Sequence, residues 1–217
     1  MHLAICMPIY AGVETPAFIS ILKALDALIR YKPTCKISFY HTERMPLWKA
    51  RSALWNNARY SNADRMIFLG EDIVINGDTL IKHAETKHDI YSALYFERKL
   101  PYKPVVHEQT ANGVWHAHNI NITGKVEGVE CVGLDCCSFS RKVLDRFEGG
   151  VFLPCNGAVG DDFSFCVHAK EAGFRIYVDT GHIVGHVEQK KKVVGFFDYL
   201  QVKKILEAKK KWERKEK

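Results

Sequence analysis

Apolar residues along this chain fall into two alternating rhythms, short continuous runs and stretches spaced by three or four positions. Continuous runs bounded by turn residues predict buried strands, and the wider spacing predicts helices with one apolar face. His2–Met7 is such a run. Thr15–Arg30 is such a helix, with Thr15 as its N-cap, Pro16 at its first position and Ile19, Leu22, Ala24, Leu25 and Leu28 as its buried stripe. Cys35–Tyr40 predicts a second strand, Trp48–Arg59 a helix turning Leu54, Trp55 and Ala58 inward, and Arg65–Leu69 a third strand. Asp78 opens another helix, and Asp89–Tyr95 is a fourth strand.

From Phe96 to about Gly128 the rhythm lapses, and Pro101, Pro104, Asn112-Gly113 and scattered histidines predict loops or a hairpin. Cys131–Phe139 resumes as sheet, followed by a short helix over Arg141–Phe147 and a longer one over Phe163–Ala172. Gly173 stands where a helix C-terminus wants positive φ, and Arg175–Val178 is the last core strand. Strands alternating with helices predict an α/β fold, a mostly parallel central sheet flanked by helices with right-handed crossovers.

With 217 residues and 47% hydrophobic positions, the chain is read as one globular domain with a tail. No apolar run approaches a membrane span, and the first residues lack the basic start of a signal peptide. Seven cysteines with no Cys-x-x-Cys pair suit a reduced, intracellular setting, with a disulfide at Cys155 as the alternative in a hyperthermophile. The formal charge of +6 is uneven: from Gln189 onward eleven basic residues, Lys190, Lys191 and Lys192 among them, face four acidic ones. The body is therefore nearly neutral, and no nucleic-acid-binding pattern accompanies the lysines of the tail. Phe196, Tyr199, Leu200, Val202, Ile205, Leu206 and Trp212 recur there at helical intervals. They predict an amphipathic helix that packs on the body or rests on an anionic membrane surface.

Three stations carry chemistry. Gly70-Glu71-Asp72 ends the third strand, and in open α/β sheets ligands bind at the carboxyl ends of strands. A carboxylate pair there is commonly a solvated turn, yet Mg²⁺ and Mn²⁺ also bridge such groups to a substrate's phosphates. Asp161-Asp162 precedes a helix, where one aspartate suffices to cap exposed N–H groups and the other is free to act as a general base. His186 follows a short strand; such a histidine is usually structural, but borderline metals accept imidazole together with carboxylate. His182 is the weaker of the two neighbouring histidines.

In their order these motifs resemble a small glycosyltransferase of the GT-A fold, similar to family-two-like enzymes of prokaryotes and their viruses. The resemblance runs from Met7-Pro8-Ile9-Tyr10 through Ala50-Arg51-Ser52 and Phe68-Leu69-Gly70-Glu71-Asp72 to Val132-Gly133-Leu134-Asp135-Cys136. It continues in Gly160-Asp161-Asp162-Phe163 and ends at Gly185-His186, covering nearly all of residues 1–188 and leaving 189–217 as a basic helix or tail. It implies that Asp72 and His186 hold Mn²⁺ or Mg²⁺, although Gly70 stands where the family's metal motif has its first aspartate. It implies Pro8, Tyr10, Arg51 and Glu71 at the nucleotide-sugar, Gly133 and Asp135 on the acceptor side, and Asp162, with Asp161 beside it, as catalytic base.

The function implied is metal-dependent, inverting transfer of a sugar from a nucleotide-diphosphate donor to a hydroxyl of a glycan, protein or lipid acceptor. The setting implied is the cytoplasm, that of the host if the source is a virus, with peripheral membrane contact through the tail as an option. The rivals are a catalytically weak nucleotide-sugar or carbohydrate-binding module, a sugar-phosphate nucleotidyltransferase and a glycoside hydrolase. Pro8-Ile9-Tyr10-Ala11-Gly12 lacks the glycine-rich loop a nucleotidyltransferase needs, and a hydrolase would use two carboxylates without a nucleotide.

Overall fold

The computed structural model describes residues 1–110, 112–154, 160–188 and 193–213, apart from the side chains of residues 150, 212 and 213. Cys155, Lys190, Lys191, Lys192, the Trp212 side chain and the last four residues lie outside the described set. From the amino end the elements are β1 (His2–Ile9), α1 (Thr15–Tyr31), β2 (Lys36–Glu43), α2 (Leu47–Tyr60) and β3 (Arg65–Leu69). Next come β4 (Ile73–Val74), α3 (Thr79–Glu85), β5 (Ile90–Leu94), β6 (Val106–Gln109), β7 (Trp115–Ala117) and β8 (Val126–Val129). Then follow β9 (Cys131–Val132), β10 (Cys136–Ser140), α4 (Arg141–Arg146) and a 3-10 turn, Gly149–Val151. The chain continues with α5 (Asp161–Glu171), β11 (Ile176–Ile183), β12 (Gly185–Val187), β13 (Val193–Val194) and α6 (Phe196–Glu213).

A seven-stranded sheet in the order β2-β1-β3-β10-β5-β11-β8 forms the centre. β1 runs parallel to β2 and β3, and β5 parallel to β11, whereas β10 is antiparallel to both β3 and β5, and β8 to β11. Five of the seven strands therefore point one way, the mostly parallel sheet that the strand–helix alternation predicts. Helices cover both faces, which is why the strands read as continuous apolar runs. Along β1, Ala4 and Cys6 meet α2, α4 and α5, while Leu3, Ile5 and Met7 meet α1 and α3. On the first face the rings of Trp55, Phe68, Phe139, Phe152 and Phe165 pack together, with Phe152 stacked on Phe165 at 5.5 Å. Burying each such ring stabilises the fold by about 1.5–3 kcal/mol.

Three details of the helices differ from the pattern. In α1 the buried side chains are Ala17, Ser20, Ile21, Ala24 and Leu28, while Ile19 and Leu22 are about half exposed. Lys23, Asp26 and Arg30 mark one polar side, but the apolar arc opposite them is wider than the buried face, so periodicity alone leaves the fine rotation open. Ser20 contributes to fixing it, because its hydroxyl accepts the Ile75 N–H at 3.0 Å. Thr15 is already helical and Glu14 is the N-cap, without a side-chain bond. Likewise α5 begins at Asp161, with Gly160 as its N-cap. The predicted C-terminal glycine, Gly173, does take positive φ, at 85°. The stretch after Phe96 contains the predicted hairpin, β6 with β7, joined by β9 in a small separate sheet.

At the carboxyl end, Phe196, Tyr199 and Val202 of α6 pack on the core, whereas Phe197, Ile205 and Leu206 are exposed. No helix among the described residues is long and apolar enough to cross a membrane.

Candidate active site

The parallel strands β1, β3 and β5 end at one edge of the sheet, and antiparallel β10 starts there, with Cys136 opposite Leu69. The segment before β10 therefore delivers Asp135 to the same edge. After β11 the chain leaves the main sheet as β12 and pairs antiparallel with β4, setting His186 opposite Ile73 and Gly185 opposite Val74. The Val187 N–H donates to the Asp72 carbonyl at 2.9 Å, so two segments more than a hundred residues apart are clamped side by side. A cleft of about 270 Å³ results, lined by Pro8, Tyr10, Gly70, Glu71, Asp72, Arg98, Asp135 and His186 with the start of α2.

At one wall, His186 Nε2 lies 3.5 Å from Asp72 Oδ1. His186 Nδ1 is 2.8 Å from the Phe96 carbonyl oxygen, which can only accept, so Nδ1 carries the proton. In the neutral ring Nε2 then presents a lone pair to a carboxylate oxygen, two acceptors facing each other. An N–H of a ligating histidine fixed by a backbone carbonyl is the usual support of a metal ligand. Burial opposes charge on Asp72, but a hydrogen bond and positive charge from the His186 ring in its protonated form, and then Arg98, outweigh it and hold the carboxyl below its ordinary range. Arg98 Nη1 donates to Asp72 Oδ2 at 2.6 Å. Among the described residues no three histidine, cysteine or carboxylate side chains converge as a metal cluster. The pair nonetheless fits a divalent ion bound together with a diphosphate, since Mg²⁺ and Mn²⁺ take one or two protein carboxylates and complete their shell from phosphates and water.

Behind the cleft lies a network of buried charge. Arg51 is only 2% exposed; Nη2 donates to Asp135 Oδ1 at 2.7 Å and Nη1 to Asp161 Oδ2 at 2.9 Å. Burial alone would lower the pKa of this guanidinium, but Asp135, Asp161 and Asp162 raise it. Arg51 is thus turned away from any phosphate in the cleft and ties carboxylates together. Asp161 is engaged by Arg51 and makes no capping bond, whereas Asp162, which is not on the cleft wall, accepts the Phe163 N–H at Oδ1 at 2.9 Å, so of the two it is Asp162 that serves an exposed N–H of the helix start. Asp162 is half-buried beside it. Desolvation raises its pKa above the ordinary range, Arg51 opposes this and Asp161 adds to it.

Glu71 lines the cleft, but its carboxylate accepts the N–H groups of Tyr10, Ala11 and Gly12 at 2.8, 3.1 and 3.2 Å. It pins the loop after β1, leaving Pro8 and the exposed Tyr10 ring on the cleft wall. Gly133 is not on that wall. A Cβ there would fall 1.9 Å from the Tyr95 hydroxyl, so glycine is what lets Tyr95 pass and accept the Asp135 N–H at 3.3 Å. At Gly70 a Cβ would meet Asp135 Cβ at 3.0 Å and Cγ at 3.2 Å, so the space of the absent first carboxylate is taken by Asp135. Arg98 was not among the residues expected from sequence. The signal for it is its place just past the carboxyl end of β5, the same rule that selects Asp72 after β3.

The mostly parallel central sheet with helices on both faces is a GT-A-like α/β fold. A197 from STIV has a crystal structure that is similar over 90% of this chain and 94% of its own, with a TM-score of 0.61 at 18% identity. Looser likenesses are to S. aureus TarS 1–349 (TM-score 0.46, 15% identity, 82% of this chain and 58% of that one) and to HddC from Yersinia pseudotuberculosis (TM-score 0.45, 12% identity, 94% and 100%). No protein-family model and no curated protein matches the sequence.

Proposed function

We propose that the protein transfers a sugar from a nucleotide-diphosphate donor to an acceptor hydroxyl. The observation that carries this reading is the Asp72–His186 pair, a carboxylate and a lone pair 3.5 Å apart at the strand ends of a GT-A-like fold. A divalent ion held by these two residues would supply positive charge to the departing diphosphate. Pro8 and Tyr10 wall the nucleotide end, on the loop that Glu71 pins. Asp162 removes the proton of the acceptor hydroxyl as the new bond to the anomeric carbon forms and the bond to the diphosphate breaks, which inverts the configuration. Its raised pKa makes it a better proton acceptor than an ordinary surface carboxylate. Arg51 acts on the reaction through position: it holds Asp135 and Asp161 fixed beside that base.

The test is release of nucleoside diphosphate from a panel of nucleotide sugars with Mn²⁺, with and without simple glycan, peptide and lipid acceptors. Release dependent on both donor and metal supports transfer. Tight donor binding without release would favour the non-catalytic binding module, and release of inorganic pyrophosphate from a nucleoside triphosphate would favour the nucleotidyltransferase.

A further inference from the structure

We infer that Arg98 grips the donor's diphosphate, and that Asp72 holds the guanidinium at the cleft wall until the diphosphate arrives. This rests on the glycosyltransferase reading above. Among the described residues lining the cleft, Glu71, Asp72 and Asp135 bring three carboxylates, and Arg98 is the one guanidinium or ammonium group. An anionic diphosphate entering such a cleft meets repulsion on most sides. Arg51, the other guanidinium close by, has both Nη atoms committed to Asp135 and Asp161 beneath the surface. Arg98 differs: a single Nη1 contact to Asp72 occupies it, and its side chain is 50% exposed. Among the described residues the remaining donors of its planar fork have no acceptor, and that fork matches paired phosphate oxygens.

The backbone carrying Arg98 is well anchored. The Glu97 N–H donates to the Lys103 carbonyl at 2.8 Å and the Val105 N–H to the Tyr95 carbonyl at 2.9 Å, so the loop closes on itself at the end of β5. Arg98 can therefore exchange partners by side-chain rotation alone. Sharing Asp72 also sets up an opposition. A guanidinium on Asp72 would weaken that carboxylate's attraction for a divalent ion, and a diphosphate that drew the guanidinium to itself would relieve that competition.

The experiment is calorimetric titration of wild type, Arg98→Ala, Arg98→Gln and the control Lys99→Ala with Mn²⁺ alone, and then with UDP, GDP, ADP and dTDP in the presence of Mn²⁺. Lys99 is an exposed cation on the same loop and off the cleft wall. Both Arg98 variants are expected to bind Mn²⁺ alone more tightly than wild type, and the preferred nucleoside diphosphate about ten- to a hundredfold more weakly, the scale of one lost charge-assisted contact. Lys99→Ala should match wild type. If wild type binds a nucleoside diphosphate and both Arg98 variants bind it equally well, the assignment of Arg98 is overturned while the transferase reading stands. If wild type binds none of the four, with Mn²⁺ present, the transferase reading itself fails and takes this one with it.

Discussion

His182 and His186 stand four residues apart on one run of chain, yet they occupy opposite kinds of surroundings. His182, at the end of β11, is sealed between α3 and the sheet, with Nε2 2.9 Å from the Thr79 hydroxyl and its ring 5.8 Å from that of His83. Neither ring's Nδ1 has a hydrogen-bond partner among the described residues. His186, one strand on, has its Nδ1 fixed by a carbonyl and its Nε2 aimed at a carboxylate in an open cleft. The contrast teaches that what fits a histidine for a ligand's place is what holds its far nitrogen and what faces its near one. Burial does not separate the two, since both are more than nine-tenths buried.

The largest expected effect lies on the His186 side. Asp72→Ala removes the charged member of the pair, and turnover should fall about a thousandfold, the scale of several kcal/mol of lost charge stabilisation. His186→Ala should lose less, because neutral imidazole contributes coordination without charge. In both variants the unfolding temperature should stay close to wild type. A variant that melts early yet keeps its specific activity would move His186 into the same structural class as His182.

Next in size is the carboxylate pair behind the cleft. Asp162→Asn should slow transfer about a hundredfold while donor binding persists, as expected for a lost general base. Asp161→Asn should instead destabilise the fold by about 3 kcal/mol, because it leaves the buried Arg51 short of a charged partner. Denaturant unfolding and single-turnover kinetics on the two variants separate the roles, and exchanged phenotypes would exchange the assignments.

The His182 side predicts a pH effect without a turnover effect. Burial lowers the His182 pKa to about 4, and burial with the neighbouring His182 lowers that of His83 as well. The unfolded chain, with histidines near 6.5, therefore binds more protons than the folded one between about pH 6.5 and 4. Stability contributed by these neutral rings is full above pH 6.5 and declines as the pH falls through that window. Melting curves should drop by several degrees across it, at about 2–4 °C per kcal/mol for a chain of this length, and His182→Leu should flatten the slope. An unchanged slope in that variant would remove His182 from the account.

The smallest effect belongs to the exposed side of α6, opposite the side on which Tyr199 stacks against Phe96. Its exposed Phe197 and Ile205 stand among lysines, a composition that favours weak association with anionic bilayers. Partial sedimentation with anionic vesicles is expected at low salt, reduced several-fold by Phe197→Ser with Ile205→Ser, with turnover and the acid profile unaltered. Wild-type protein that stays in the supernatant at low salt would end the membrane reading.

Most strands and the stations at their ends were legible from the sequence, because continuous apolar runs such as Arg65–Leu69 occur where helices cover both faces of a sheet. Asp72 and His186 were legible as separate stations. Their meeting is written in the β4–β12 pairing, a tertiary fact that no local pattern contains. The fine rotation of α1 was illegible because its apolar arc is wider than the face it buries. Arg51 was misjudged for a related reason: sequence places a guanidinium near a strand end, but only packing shows that both of its Nη atoms are bound beneath the surface. Arg98 lay in a stretch without periodicity, where attention to strand ends lapses.

Gly70 and Asp135 compete for one small volume, with a Cβ at position 70 coming within 3.0–3.2 Å of the Asp135 side chain. A side chain at 70 therefore needs Asp135 and Ile73 to give by a few tenths of an ångström, and Asp135 is fastened to Arg51. A second carboxylate at this strand end is thus coupled to position 135: the residue there sets how much room position 70 has, and removing its carboxylate leaves the buried Arg51 short of a partner.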